Sequence, residues 1–145
     1  MTAPLFPPRV VIDTNVLLDF WVFDDPVSRP LRLALESGHL VALRDGATVD
    51  ELADVIARVK FELSAHRQME ILRTWDRLAT PVERVFPCRL VCTDPLDQKF
   101  LDLAVTARAD WLVSKDKAVL KLARRARADG IAILRPNQAS ALIEA

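Results

Sequence analysis

The run at residues 9–13, RVVID, constrains the fold of this chain more than any other stretch. A β-branched run without polar alternation describes a strand covered on both faces. Such strands lie in the middle of parallel sheets, with helices packed above and below. The run ends in an acid, and in open parallel sheets ligands bind beyond the carboxyl ends of the strands. An aspartate placed directly after VVI is costly to bury unless it is paired or bound to metal.

The remainder keeps the strand–helix alternation that a parallel sheet requires. A short helix follows from about Asn15 and is broken by DDP at 24–26; another covers 28–37 and stops at Gly38. Residues 40–43 read as a second strand. From Thr48, the apolar residues Leu52, Val55, Ile56 and Val59 recur at helical spacing, and a longer amphipathic helix covers about 65–78 until Pro81 ends it. Residues 82–92 leave strand and loop open. Pro95 opens a helix with Phe100, Leu103, Ala104 and Ala107 on one face. Residues 111–114 read as a strand, 117–128 as a helix ended by Gly130, 131–134 as a strand and 136–143 as a last helix. This order predicts a three-layer α/β/α sandwich on a mostly parallel central sheet, one domain over 9–145, preceded by a Pro-rich arm at 1–8.

Composition excludes several classes. A chain of 145 residues buries roughly two-thirds of the surface exposed by its unfolded form, so it needs no staples. Twenty Lys and Arg balance twenty Asp and Glu, which excludes gripping nucleic acid by bulk charge. The balance hides an asymmetry: residues 1–55 carry a net −5 and residues 56–145 a net +5. Cys88 and Cys92, with only His39 and His66 besides, form no zinc set. If extended, the cysteines lie roughly 13 Å apart, too far for a disulfide, and two reduced thiols suit the cytoplasm. No apolar run approaches a membrane span, and the opening MTAPLFPPR lacks the features of a signal peptide. A soluble cytoplasmic protein with no membrane partner is expected.

Four acids fall where a sheet edge gathers them. Asp13 ends the first strand, and Asp116 lies two residues past WLVS. Asp97, on the first turn of its helix, is ~60° from Phe100 on a helical wheel and so turns inward. Glu51 flanks the apolar stripe of its own helix. Asp50 and Asp102 project away from the stripes and serve as solvated controls. Each acid also has a capping explanation: Thr48-x-x-Glu51 as a capping box, Asp94 as an N-cap ahead of Pro95 with Asp97 at N3, and Asp116 as the cap of the next helix. Inward acids gathered at one edge repel one another. A hard divalent cation, Mg²⁺ or Mn²⁺, resolves that repulsion and holds a phosphodiester oxygen while activating water.

VVIDTNVLL at 10–18, T-x-x-E-L-x-x-V at 48–55, DPLDQKFLDLA at 94–104 and ADWLVSKD at 109–116 resemble the ordered blocks of PIN-domain nucleases over about residues 9–137. They look closest to the single-domain bacterial branch regarded as toxins of toxin–antitoxin pairs. The resemblance implies a Rossmann-like sheet, Mg²⁺ or Mn²⁺, and hydrolysis of single-stranded RNA by an activated water. On these positions Asp13, Glu51, Asp97 and Asp116 match the four acids, and Asn15 and Ser114 the polar helpers. Asp94 is a further acid at the mouth. Asp13, Asp97 and Asp116 are the implied metal ligands, with Glu51 orienting or deprotonating the water. The chain departs from the family where Ala118 replaces a frequent second acid and where Arg44-Asp45-Gly46 leads into the second block.

Lys117, Lys121, Arg124 and Arg125 follow i, i+4, i+7, i+8 spacing and form a basic ridge suited to an RNA backbone, or an ordinary solvated face. Phe20, Trp21 and Phe23 suit base stacking, a homodimer or antitoxin contact, or the core. Trp75 and Trp111 read as packing, and no catalytic pattern includes His39 or His66. A haloacid-dehalogenase-type phosphatase would need an acid where Asn15 stands, and a response-regulator receiver would leave Glu51 without a role. A non-catalytic PIN-like RNA-binding module is the non-enzymatic alternative.

Overall fold

A computed structural model describes residues 7–145, so the arm proposed for 1–8 lies almost wholly outside the described residues. Five strands, β1 (Arg9–Ile12), β2 (Val41–Arg44), β3 (Ala79–Pro81), β4 (Trp111–Val113) and β5 (Ala132–Leu134), form one sheet in the order β3-β2-β1-β4-β5. Every pairing is parallel, with Val10 facing Ala42 on one side and Trp111 on the other. β1 is central, as its unbroken apolar run predicts.

Among the described residues, eight α-helices accompany the strands: α1 (Thr14–Trp21), α2 (Arg29–Glu36), α3 (Gly46–Ile56), α4 (Ala65–Leu78), α5 (Gln98–Thr106), α6 (Lys117–Leu120), α7 (Ala123–Ala126) and α8 (Pro136–Glu144). Alternate residues of β1 divide between two cores. Val10 and Ile12 join Val16, Leu31, Leu52, Ile71 and Trp75 on the face covered by α1 to α4 and α8. Val11 joins Leu101, Leu103, Val119 and Ala126 on the face covered by α5 to α7. The molecule is therefore a three-layer α/β/α sandwich. A fully buried aliphatic side chain contributes roughly 1.5–3 kcal/mol, in keeping with the unbroken apolar run of β1 between Asp13 and the exposed Arg9.

The structure corrects four local readings. Pro81 does not end α4; that helix stops at Leu78, and Ala79–Pro81 forms β3 against β2. Proline is tolerated because β3 is an edge strand. The helix read from Thr48 begins at Gly46, and Val59, assigned to its stripe, lies on a separate 3₁₀ turn and is 90% exposed. The helix read over 117–128 is two short helices and a 3₁₀ turn closed by Gly130 at φ 74°.

Residues 82–92 form a loop that side chains of α5 hold in place. The Gln98 side chain accepts from the Cys92 amide at 2.8 Å and donates to the Leu90 carbonyl at 2.8 Å, while Asp102 accepts from the Cys88 amide at 3.1 Å. Asp102 is thus half-buried and structural rather than a solvated control, whereas Asp50 is exposed. Both cysteines are free, and burial pushes their thiols up, Cys88 to about 11. Among the described residues, no helix is long and apolar enough to cross a membrane.

Candidate active site at the carboxyl edge of the sheet

Strand order reverses direction between β1 and β4, and a parallel sheet opens a crevice at such a point. Asp13 follows β1 directly, and its amide donates to the Val113 carbonyl at 3.0 Å, so it prolongs the sheet beside β4. Ser114 follows β4 and is fully buried. Its hydroxyl donates to Asp13 Oδ2 at 2.6 Å and accepts from the Asp116 amide at 3.0 Å. One hydroxyl thereby ties together the two loops that meet at the crevice.

Asp97 reaches the crevice from the α5 side. Asp94 caps a 3₁₀ turn, Pro95–Asp97, by accepting from the Leu96 amide at 3.0 Å, and α5 starts only at Gln98. That tight turn holds Asp97 inward at 8% exposure. Carboxylate oxygens of Asp94, Asp97 and Asp116 lie within 4.8 Å of one another. The closest acid set thus includes Asp94, which sequence analysis placed among the supporting residues; Asp13 stands beside this set rather than within it.

The electrostatics follow from this crowding. Burial raises the Asp97 carboxyl to about 7, helped by the adjacent Asp116 carboxyl and by the charges of Asp13, Asp116 and Asp94. Burial also lifts Asp13 above the ordinary aspartate range, although Ser114 and the Asn15 amide favour its charged form. Asp97 Oδ2 is buried without a hydrogen-bond partner. Buried acceptors without donors are rare in folded proteins. A hard divalent cation fits this set: it takes carboxylate oxygens, satisfies the orphaned atom and removes the repulsion.

Capping explains part of the pattern. Asp116 accepts from the Ala118 amide at 2.8 Å, and Asp13 accepts from the Asn15 amide at a long 3.4 Å. Each of these bonds leaves its carboxylate further lone pairs. Glu51 is different. The capping box at α3 is formed by Asp45 and Thr48, whose reciprocal bonds are 3.0 and 3.1 Å, one turn before the expected Thr48–Glu51 pair. Relieved of capping, Glu51 accepts from the Thr14 hydroxyl through Oε2 and from Lys99 Nζ at 2.9 Å through Oε1. The fold thereby brings Glu51 a partner cation from 48 positions along the chain. Thr14 and Lys99 lie within the family-like blocks, but nothing in their spacing announces that they converge on Glu51.

Among the other candidates, Asn15 is exposed next to Asp13. Lys117, Lys121, Arg124 and Arg125 are all exposed, but the break between α6 and α7 interrupts the continuous ridge. Phe20 is core at 2% exposure, Trp21 stacks edge-on against Trp75, and Phe23 is 57% exposed and leans on Phe61. Trp75 and the half-buried Trp111 pack in the core, as expected. The family model described as PIN domain matches residues 9–118 of the chain. No curated protein matches it.

Proposed function

Because this chain belongs to the PIN-domain family, whose members are generally metal-dependent nucleases, we propose that it is an endoribonuclease hydrolysing phosphodiester bonds of single-stranded RNA. The observation that carries this reading is the trio Asp94, Asp97 and Asp116 within 4.8 Å, with a buried Asp97 oxygen lacking any donor. Asp13, Asp97 and Asp116 are assigned as ligands of Mg²⁺ or Mn²⁺, with Asp94 completing the acid set. When bound, the cation supplies positive charge to the phosphodiester oxygens and lowers the pKa of the attacking water.

The chain's own groups do the rest. Glu51 accepts a hydrogen bond from the water that attacks phosphorus, orienting it or taking its proton as the bond to the departing ribose oxygen breaks. Ser114 keeps Asp13 aimed at the crevice, and Asn15, exposed at the mouth, positions the phosphate or the water. Lys117, Lys121, Arg124 and Arg125 hold flanking phosphates. We assign 9–145 as the catalytic domain. The toxin role, with a cognate antitoxin, a homodimer and a cytoplasmic location, rests on likeness to the single-domain bacterial branch.

The experiment is digestion of a labelled single-stranded RNA with Mg²⁺ or Mn²⁺ against EDTA, beside an RNA duplex. Metal-dependent internal cleavage of the single strand supports the reading. Binding without cleavage under every cation would instead make the chain a non-catalytic RNA-binding module.

A further inference from the structure

Glu51 is held from two directions by residues on different helices. Thr14 on α1 donates to Oε2, and Lys99 on α5 donates to Oε1 at 2.9 Å, while Glu51 itself stands on α3. Lys99 and Glu51 are each only 22% exposed in their side chains. The Lys99 ammonium is fixed in turn: it donates to the Leu96 carbonyl and lies 5.6 Å from the centre of the Phe100 ring. A surface ion pair is ordinarily worth little because two long side chains must be ordered to form it. Here the lysine makes several contacts at once, so its geometry is set in advance.

An ionised carboxylate has about four lone-pair sites. Thr14 and Lys99 occupy one on each oxygen, leaving both oxygens able to accept from water while removing the freedom of the carboxylate to rotate. We infer that Lys99, with Thr14, is a positioning residue for the proposed hydrolysis: it fixes the Glu51 carboxylate that orients the attacking water, and does not itself hold RNA phosphate. The inference rests on the reading of the site as a nuclease. It distinguishes Lys99, half-buried and paired with Glu51, from the exposed Lys117, Lys121, Arg124 and Arg125.

The test is a double-mutant cycle on metal-dependent cleavage of a single-stranded RNA, comparing wild type, Lys99→Met, Glu51→Gln and the double variant. Lys99→Met should lower kcat about 10- to 100-fold, the usual effect of removing a group that orients a catalytic ligand, and leave KM within about twofold. In the Glu51→Gln background the same substitution should have no further effect, because the group it orients is gone. Lys99→Arg, which keeps the charge and donors, should recover part of kcat and covers the case in which the methionine variant fails to fold. A rise in KM with unchanged kcat would make Lys99 a phosphate-binding group and overturn the inference. Independent, multiplying losses in the double variant would overturn it too. If wild-type protein cleaves no RNA with any divalent cation, it is the nuclease reading that fails, and this inference falls with it.

Discussion

Ser114 donates a 2.6 Å hydrogen bond to Asp13, joining residues 101 positions apart in the chain. The same hydroxyl accepts from the Asp116 amide at 3.0 Å. β1 and β4 are thereby registered at the point where their loops carry acids, and Asp13 gains a short donor against the repulsion of Glu51 and Asp116.

Ser114→Ala removes that donor and leaves Asp13 Oδ2 buried without it. Loss of a bond to a buried polar atom costs about 1–3 kcal/mol, measurable as a reduced midpoint in urea unfolding. Cleavage should fall as well, because Asp13 loses the group that aims it. Unchanged stability and activity would mean that the Ser114 hydroxyl is incidental.

Asp13→Asn separates charge from shape. Asparagine keeps one oxygen to accept from Ser114, gives up only the long 3.4 Å bond from the Asn15 amide, and ends the repulsion with Glu51 and Asp116 that helps raise the Asp13 pKa. Melting temperature should be equal to or above wild type, while RNA cleavage drops by more than about 100-fold. A variant that melts lower and still cleaves would reverse the assignment.

How far the site was legible in the sequence depends on the kind of signal. The central strand announced itself because burial on both faces requires an unbroken apolar run, and Asp13, Asp97 and Asp116 were legible because each adjoins an element whose apolar face fixes its direction. β3 was not, since ATP at 79–81 has neither length nor a β-branched run, and an edge strand needs only one partner. For Glu51, the T-x-x-E pattern points to a capping box that the structure forms elsewhere. Asp45 captured the capping box one turn earlier, and only the tertiary fold brings Thr14 and Lys99 to its carboxylate. The ridge was overdrawn because helical periodicity assumes a continuous helix, and this one breaks after Leu120.

Acidity in the crevice sets a pH dependence for the metal-free protein. The folded chain holds the Asp97 proton up to about pH 7, whereas the unfolded chain releases it near 3.8. The native state therefore binds more protons between these values, and stability falls as pH rises from about 4 to about 7. Asp13, also raised, acts in the same direction. Thermal melts in EDTA should drop by several degrees over this range, and Mn²⁺ should restore the loss at about pH 8 but have little effect at about pH 5. Melts that rise with pH in EDTA would contradict the crowding of unneutralised carboxylates.

Charge reversal at Lys121 and Arg124 tests the basic surface around α6 and α7. Both residues are exposed, so the substitutions should leave melting temperature nearly unchanged. RNA binding should weaken and its dependence on salt become shallower, since each lost phosphate contact removes a released counterion. An unchanged KM across salt concentrations would remove these residues from the RNA path.

The central claim is that the acids at the carboxyl edge form a site for a divalent cation. Calorimetric titration of Mn²⁺ into wild-type protein and into Asp97→Asn, at a pH near 8 where the aspartate is ionised, addresses it directly. Wild type should give a saturable heat that the variant loses or weakens at least about tenfold, with both proteins folded. Equal binding by the two, or no saturable binding by wild type, would contradict it.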